Sequence, residues 1–288
     1  MGEVDGKRIV VTGASRGLGR AFAVALASEG ARVVVNGTNE ALLRGLVEEI
    51  SSAGGNAVHV VGSVADDDLA EALVQTCVDS FGGIDAVVNN AGIVRDRTLM
   101  NMSPDEFDEV VAVNLRGTWS VSRHAARAMR ETGGLLLQVV SNAAFVGSVG
   151  QTNYAASKAG VMGMLYSWDV ELRRFDIRTN ALWPIAHTDM TQVVFDNAAK
   201  RAAEAGKPPP AAHELGFGTT ESVAPIVVYL CSDRGAQLRS QLITFNGSKL
   251  GLWSHPHEAV LDRRPGWTVD ELAAALEGAT EPVHVVQY

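Results

Sequence analysis

The sequence predicts an α/β fold in which a parallel sheet carries helices on both of its faces. Two observations predict this class. The chain has 288 residues, of which 47% are hydrophobic and 20% are charged, and this composition suits one large globular α/β domain. Short runs of Val, Ile and Leu alternate with amphipathic stretches along most of the chain, as parallel strands joined by helical crossovers require.

Seven apolar runs are predicted as strands, because strands that are buried on both faces are nearly continuous in aliphatic residues. These runs are residues 8–12, 32–36, 57–61, 85–89, 135–140, 178–183 and 241–245. The amphipathic stretches between them predict helices at residues 18–28, 40–51, 66–80, 104–130, 151–174 and 221–231. Right-handed crossovers then give one doubly wound sheet of seven parallel strands.

Residues 1–250 are predicted to form one domain, since the chain shows no internal repeat and no domain-sized change in composition. Within it, residues 185–218 contain three consecutive prolines and several glycines, which indicates an irregular loop. This loop follows the carboxyl end of a strand, where such sheets bind ligands, so it is placed to act as a lid.

Residues 251–288 are predicted to form an extension that packs on the same domain or on a neighbouring subunit. Thr268 and Glu271 match a helix capping box. Val269, Leu272 and Leu276 would form one apolar stripe on the helix that follows. A short amphipathic helix is therefore expected in the extension.

The charge and the cysteine content argue against several classes of protein. The net charge of −9, from 24 basic and 33 acidic residues, argues against a nucleic-acid partner. No apolar run approaches the ~18 residues of a membrane helix, and the N-terminus lacks the features of a signal peptide. Cys77 and Cys231 form no metal-binding spacing. We therefore expect a cytoplasmic protein with no membrane partner, no metal site and buried cysteines.

A glycine-rich turn follows the first predicted strand, with the spacing G-x-x-x-G-x-G from Gly13 to Gly19. Glycine permits unusual backbone angles and a close approach of ligand. The helix that begins there offers free N–H groups and the positive end of its dipole. The turn therefore predicts a phosphate site for a dinucleotide in a Rossmann-type domain. A plain strand-to-helix turn is the alternative.

The end of the second strand decides between the two nicotinamide dinucleotides. Sites specific for NAD usually place an acidic residue there, but this chain has Asn36, Gly37 and Thr38. Arg16 lies within the glycine-rich turn, where its planar guanidinium suits a 2′-phosphate, and Thr38 offers a further hydrogen bond. The sequence therefore predicts NADP(H) rather than NAD(H). The alternative for Arg16 is an exposed charge with no ligand.

A second group of polar residues has the pattern of a proton-transfer site. Tyr154 and Lys158 are four residues apart on a predicted helix and therefore share one of its faces. Ser141 ends the fifth strand, and Asn114 lies within the helix predicted at residues 104–130. A ketone that accepts a hydride needs a proton donor at its oxygen, and a lysine cation beside a tyrosine favours the phenolate of the reverse reaction. A serine adds a hydrogen-bond donor to the developing negative charge.

With these motifs, which extend over most of its length, the chain resembles the short-chain dehydrogenase/reductase family. The resemblance implies that Tyr154 is the general acid/base, and that Lys158 lowers its pKa and holds the nicotinamide ribose. It also implies that Ser141 polarises the substrate oxygen and that Asn114 supports a water-linked proton relay to Lys158. A homo-oligomer, either a dimer or a tetramer, is expected through the two long helices.

The resemblance also locates the cofactor, with some departures from the family pattern. Ser63 stands where the family often has an aspartate that contacts adenine, and Pro184 and Ile185 replace the usual Pro-Gly. Thr188 is the best candidate for a hydrogen bond to the nicotinamide carboxamide. We expect the cofactor to contact Gly13, Ser15, Arg16, Gly17, Leu18, Gly19, Asn36, Thr38, Ser63, Val64, Asn90, Ala91, Gly92, Tyr154, Lys158, Pro184, Ile185 and Thr188.

A second, weaker resemblance concerns the substrate. Residues 184–191, 251–254 and 266–268 are similar to the 3-hydroxyacyl-CoA dehydrogenase domains of multifunctional β-oxidation enzymes. The glycine-rich turn is closer to bacterial 3-oxoacyl carrier-protein reductases. The expected pocket wall is mostly apolar and suits an aliphatic, alicyclic or steroid-like ketone, free or thioester-linked. It comprises Ile93, Ala143, Ala144, Phe145, Val146, Trp183, Met190, Val193, Val194, Phe195 and Phe217.

The sequence therefore predicts an NADP(H)-dependent oxidoreductase that transfers hydride between the nicotinamide and a carbonyl or secondary alcohol of an apolar, 3-oxoacyl-type substrate. One alternative is an NAD(H)-dependent dehydrogenase of 3-hydroxyacyl thioesters or hydroxysteroids. A non-enzymatic alternative is a dinucleotide-binding sensor, although such a protein has no need of a proton relay.

Overall fold

The computed structural model describes residues 2–255 and 266–277, and its strands form one sheet. Their order across the sheet is β3-β2-β1-β4-β5-β6-β7-β8. Strands β1 to β7 run parallel, and each agrees with a predicted strand to within one residue at either end. The strands are β1 (Arg8–Val11), β2 (Arg32–Gly37), β3 (Asn56–Val61), β4 (Ala86–Asn89), β5 (Gly134–Val139), β6 (Ile177–Pro184), β7 (Leu242–Phe245) and β8 (Leu250–Leu252).

Helices cover both faces of the sheet, which confirms the doubly wound arrangement. The α-helices of the described residues are α1 (Gly17–Ser28), α2 (Glu40–Ser52), α3 (Asp67–Phe81), α4 (Pro104–Val111), α5 (Thr118–Ala128), α6 (Ala143–Val146), α7 (Thr152–Leu172), α8 (Gln192–Glu204), α9 (Thr220–Val223), α10 (Pro225–Cys231) and α11 (Val269–Glu277). One core lies between the sheet and α1, α2 and α10, and it includes Phe22 and Cys231. Helices α3, α5 and α7 bury the other face through residues such as Cys77 and Leu165.

The eighth strand is an addition to the seven predicted ones. Strand β8 runs antiparallel to β7, after a tight turn in which the Asn246 side chain accepts hydrogen bonds from the backbone N–H groups of Ser248 and Lys249. Gly247 holds a left-handed φ of 92° in this turn. The strand has three residues, one of them glycine, so its sequence carries little of the periodicity that predicts a strand.

The helix predicted at residues 104–130 is interrupted. A π-helical turn, Ala112–Gly117, separates α4 from α5, and Asn114 lies within it. Thr118 Oγ donates to the carbonyl oxygen of Asn114 at 2.8 Å. Such turns occur often at functional sites, where they redirect one side chain or carbonyl group.

The segment at residues 185–218 is more regular than its prolines indicate. It holds a 3₁₀ turn, Asp189–Thr191, and helix α8. The alanine-rich sequence of α8 favours a helix, and the prolines fall only after its end. Ala186 and Gly218 pair as a short bridge that joins the two ends of the segment. The expectation of an irregular loop was therefore wrong for its first half.

The described part of the extension contains the expected short helix. Thr268 and Glu271 form the reciprocal hydrogen bonds of a capping box at the start of α11. Val269, Leu272 and Leu276 are 82%, 43% and 53% exposed, so this stripe does not pack closely on the body of its own chain. Residues 256–265 and 278–288 of the predicted extension lie outside the described residues. In the part of the chain that the structure describes, no helix combines the length and apolar character needed to cross a bilayer.

Candidate active site

The glycine-rich turn packs against the carboxyl end of β4. Gly13 has a φ of 64°, and a Cβ atom there would lie 2.7 Å from Ala91 Cα. A Cβ atom on Gly19 would lie 2.4 Å from Asn90 Nδ2. These contacts leave no room for a side chain at either glycine, so the turn, Asn90 and Ala91 meet as predicted in the sequence.

Thr12 links the two strand ends, and the sequence analysis did not single it out. Its buried hydroxyl accepts hydrogen bonds from the backbone N–H groups of Asn90 and Ala91, both at 3.0 Å. Asn90 Nδ2 donates in return to the carbonyl oxygens of Thr12 and Gly13 at 3.0 and 3.1 Å. A threonine directly before the first glycine of the turn was the available signal.

The turn fits the phosphates of a dinucleotide. The Ser15 hydroxyl is buried and has no hydrogen-bond partner among the described residues. A Cβ atom on Gly37 would lie 2.1 Å from that hydroxyl, so the glycine at the end of β2 keeps this space open. Helix α1 begins after Arg16 with no side-chain cap and no acidic residue in its first turn. Its N–H groups and dipole therefore favour an anion.

The three residues predicted at the end of β2 and in the turn have different surroundings. Asn36 Nδ2 donates to the carbonyl oxygens of Val60 and Gly62, both at 3.1 Å, so its side chain joins the ends of β2 and β3. Thr38 is exposed. Arg16 Nη1 lies 3.3 Å from Asp189 Oδ2, with both side chains largely exposed. Arg16 therefore spans from the turn to the segment that follows β6.

Ser63 and Val64 lie in the loop that follows β3. Ser63 Oγ accepts a hydrogen bond from Ala65 N at 3.3 Å, within its own loop. Val64 is buried, and a Cβ atom on Gly117 would lie 2.7 Å from its Cγ2. Val64 thus packs directly on the π-helical turn that carries Asn114.

Tyr154, Lys158 and Ser141 come together as the sequence predicts. Lys158 is 4% exposed, and its Nζ donates to the carbonyl oxygen of Val139 at 2.7 Å. The same Nζ lies 5.7 Å from the ring centroid of Tyr154. Ser141 lies close enough to the Tyr154 hydroxyl to lower the pKa of the phenol, and its own Oγ donates to Asn142 Oδ1 at 3.2 Å. The end of β5 and the first turns of α7 therefore bring together the three side chains that the sequence selected.

Asn114 is fully buried, and it ties the loop after β4 to helix α7. Its Oδ1 accepts from Ile93 N at 2.8 Å, and its Nδ2 donates to Ile93 O at 3.0 Å and to Ser157 Oγ at 3.3 Å. Ser157 Oγ donates to Tyr154 O at 2.7 Å. Gly92 lies beside this group, since a Cβ atom there would be 3.7 Å from Lys158 Nζ. Ser157 is a second residue that the sequence analysis did not single out.

Burial dominates the electrostatics of the site. Desolvation raises the pKa of Tyr154 to about 12, while its hydrogen bond with Ser141 acts in the opposite direction. Desolvation also lowers the pKa of Lys158 to about 8. The spacing of Tyr154 and Lys158 indicates the lysine charge but not this burial. In the structure, the neighbour whose contact lowers the tyrosine pKa is Ser141.

Replacing Lys158 with methionine is expected to change the pH dependence of stability. Between the folded pKa of about 8 and the ordinary value of 10.5, the unfolded chain holds a proton that the folded chain has released. The native free energy of unfolding therefore gains about 3 kcal/mol from this group as the pH rises through that interval. Urea unfolding of the native chain and of Lys158→Met at several pH values measures the difference. A difference between the two chains that stays constant with pH would contradict the assignment.

Thr188 lies over the glycine-rich turn. A Cβ atom on Gly17 would be 3.8 Å from Thr188 Cγ2, and Thr188 N donates to Thr191 Oγ at 2.8 Å. Pro184 ends β6. The N–H group of Ile185 donates to Phe245 O at 2.9 Å, and its carbonyl oxygen accepts from Gly218 N at 3.1 Å. The segment after β6 therefore lies against the glycine-rich turn.

Comparisons with known proteins agree with this geometry. Residues 7–199 match the model of a family described as short chain dehydrogenase. The hydroxyacyl-CoA dehydrogenase ChsB1 of Mycobacterium tuberculosis is 39% identical over 95% of this chain and 88% of its own length. A 3-oxoacyl-[acyl-carrier-protein] reductase FabG of Thermotoga maritima is 36% identical over 85% of this chain and 98% of its own. A crystal structure of a short chain dehydrogenase from Mycobacterium avium superposes with a TM-score of 0.83 at 36% identity, covering 98% of both chains.

Proposed function

The chain belongs to the short-chain dehydrogenase family, whose members are oxidoreductases acting on CH–OH groups, and we propose that it reduces an apolar ketone with NADPH. The observation that carries the proposal is the meeting of the half-buried Tyr154 and Ser141 with the buried Lys158, at the carboxyl end of β5. A proton donor, a cation and a second hydrogen-bond donor at one point are what an oxygen needs as it gains negative charge.

Each side chain has a role in this proposal. When bound, the reduced nicotinamide supplies the hydride. Tyr154 donates its hydroxyl proton to the oxygen of the substrate, and Ser141 donates a second hydrogen bond. Lys158 provides positive charge beneath the phenol, and Asn114 holds the loop after β4 against α7. Asn114 also supports the proton relay that the resemblance implies.

Desolvation of Tyr154 keeps the phenol in the protonated form that the reduction requires. A phenol whose pKa is raised to about 12 stays protonated at neutral pH and is ready to donate. Removing that proton at pH 7 costs about 7 kcal/mol, a cost that the oxidation reaction must offset. The positive charge of an oxidised nicotinamide acts in that direction.

Three features support NADP(H) as the cofactor. The end of β2 carries no carboxylate that would repel a 2′-phosphate. The buried Ser15 hydroxyl has no partner among the described residues and is available as a donor. Thr38, directly after β2, is exposed. The Arg16 guanidinium needs only to leave the exposed Asp189 to reach a phosphate at the turn.

The proposed substrate class is supported by the apolar residues expected to line the pocket and by the similarity to two kinds of relative. A 3-oxoacyl-type ketone, free or thioester-linked, is consistent with the similarity to the 3-oxoacyl-[acyl-carrier-protein] reductase. A second candidate is NAD(H)-dependent oxidation of a 3-hydroxyacyl thioester or a hydroxysteroid. It is favoured by the similarity to a hydroxyacyl-CoA dehydrogenase over 95% of this chain. A cytoplasmic homo-oligomer formed through α4, α5 and α7 completes the proposal.

The activity is tested by following NADPH oxidation by the purified protein with ketones of graded size. Acetoacetyl-N-acetylcysteamine represents the short thioester, and trans-1-decalone represents the bicyclic ketone. Turnover of either one supports the proposal. Binding of NADPH with no turnover of any ketone would favour the dinucleotide-binding sensor. Faster turnover of a 3-hydroxyacyl thioester with NAD would favour the second candidate.

The Arg16→Ala variant is expected to bind NADPH about 10- to 100-fold more weakly than the native chain. A hydrogen bond to a charged group contributes about 1.5–3 kcal/mol, and NADH lacks the phosphate that would receive it. Calorimetric titration with both cofactors measures the effect. The matched control is Arg20→Ala, on the next turn of α1, where the side chain pairs with Glu49. Equal weakening of NADPH and NADH by Arg16→Ala would contradict the NADP assignment.

A further inference from the structure

Three aromatic side chains from distant parts of the chain meet beside the strand that leads to Ser141. Phe145 lies in α6, Trp183 in β6, and Trp253 directly after β8. The ring centroids of Phe145 and Trp253 are 5.0 Å apart, and those of Trp183 and Trp253 are 5.6 Å apart. We call this group the aromatic cluster. Trp253 connects its other two members, and it lies outside the residues that match the family model.

Trp253 is firmly held by the sheet. Its indole Nε1 donates to the hydroxyl of Thr244, a buried residue of β7, at 2.7 Å. Its backbone N–H donates to the carbonyl oxygen of Leu242 at 3.0 Å. Trp183 and Trp253 both pack on the hydrophobic core that contains Val140, the residue before Ser141. The hydrogen bond from the indole therefore fixes the ring orientation next to the end of β5.

Phe145 is held less firmly by its own segment. Helix α6 has four residues and begins two positions after Ser141. It is followed by Gly147, whose φ is 72° and where a Cβ atom would meet nothing within 4 Å. The Phe145 side chain is 39% exposed, although its ring lies on Trp253. Trp253 thus supports a ring that is still open to a ligand.

From this arrangement we infer that Trp253 is a specificity-determining residue, which positions Phe145 as the wall for the apolar group of the substrate. The inference rests on the proposed function, because Ser141 must hold the substrate oxygen. Ser141 opens the turn that leads into α6, since Ala144 N donates to Ser141 O at 3.2 Å, so Phe145 lies about one turn of chain beyond the residue proposed to hold the carbonyl oxygen. A flat aromatic wall gains more contact with a bulky alicyclic group than with a methyl group. The preferred substrate class is therefore a ketone with a bulky apolar substituent.

The test compares two ketones on a small set of variants. For trans-1-decalone, Trp253→Ala is expected to lower kcat/KM about tenfold, mainly by raising KM, since the lost contact binds ground state and transition state alike. For acetoacetyl-N-acetylcysteamine, the change should stay within about twofold. Trp253→Phe keeps an aromatic support and should restore most of the loss. Leu252→Ala, a neighbour whose side chain is 64% exposed, is the matched control and should leave both values unchanged.

The outcomes separate this inference from the proposed function. Equal losses for both ketones, or no rescue by Trp253→Phe, would show a merely structural role and overturn the inference while the reductase activity stands. If the native chain reduces neither ketone, the proposed function fails. Calorimetric titration of trans-1-decalone in the presence of NADPH then decides the inference. If Trp253→Ala binds trans-1-decalone more weakly than the native chain and Trp253→Phe does not, the role of Phe145 as a wall is supported. If Trp253→Ala binds the ketone as tightly as the native chain, or if the native chain does not bind it, the inference is overturned.

Discussion

Replacing Tyr154 with phenylalanine is expected to reduce kcat for ketone reduction by about 10³-fold, which lies within the range for loss of a general acid. The change removes the hydroxyl that lies near Ser141 but keeps the half-buried ring 5.7 Å from Lys158 Nζ. Tyr154 is one of many expected cofactor contacts and lies outside the phosphate turn, so the affinity for NADPH should change far less than kcat, by no more than about fivefold. Steady-state kinetics and calorimetric titration measure the two quantities.

A matched control lies on the same helix. Tyr166 is also in α7, but its ring contacts His255 at a centroid distance of 5.4 Å, in the tail. Tyr166→Phe makes the same chemical change and should leave kcat nearly unaltered. A loss of less than about tenfold in Tyr154→Phe would be too small for a general acid and would contradict the proposed role.

Gly13→Ala is expected to lower the free energy of unfolding by about 3 kcal/mol and to weaken NADPH binding more than tenfold. A left-handed residue with a side chain costs about 1–3 kcal/mol, and forcing a methyl group into a packed site costs a similar amount. The new Cβ atom would stand 2.7 Å from Ala91 Cα, so backbone must move on one side of the phosphate turn. Urea unfolding and calorimetric titration with NADPH test both effects.

The control for this substitution is Gly45→Ala. Gly45 lies inside α2, and a Cβ atom there would meet no atom within 4 Å. Alanine favours a helix over glycine by up to about 1 kcal/mol, so this variant should be slightly more stable than the native chain and should bind NADPH normally. If Gly13→Ala behaved like Gly45→Ala, the turn would not need glycine, and the phosphate site would have to lie elsewhere.

The seven parallel strands could be predicted because each is a short, nearly continuous apolar run, a signal that burial on both faces imposes locally. Strand β8 has only three residues and follows the turn that the Asn246 side chain stabilises. Its strand conformation therefore depends on pairing with β7 and is not visible in its own sequence pattern. Helix α8 was missed because the prolines and glycines near it dominated the composition of the segment. Secondary structure is hard to predict from local sequence where helix-forming residues and prolines or glycines occur in one segment.

In the candidate site, too, some features could be predicted from the sequence and others depend on the fold. Tyr154 and Lys158 are related by helical spacing, which sequence alone reveals. The contact of Lys158 with Val139 O and that of Asn114 with Ile93 join residues 19 and 21 positions apart, and they depend on how strands and helices pack. The pKa of Tyr154 depends on burial, which no spacing encodes. The chemistry of the residues was therefore readable in the sequence, whereas their connections and their electrostatics required the fold.

The most direct test of the proposed activity is the fate of the hydride. The purified protein is incubated with NADPH that carries deuterium at both C4 positions and with acetoacetyl-N-acetylcysteamine, and the product is examined by mass spectrometry. The proposed mechanism predicts an alcohol with one deuterium on the former carbonyl carbon, formed far more slowly by Tyr154→Phe. Tight binding of NADPH without any deuterated alcohol, from this or a bulkier ketone, would contradict the reductase and leave the dinucleotide-binding sensor.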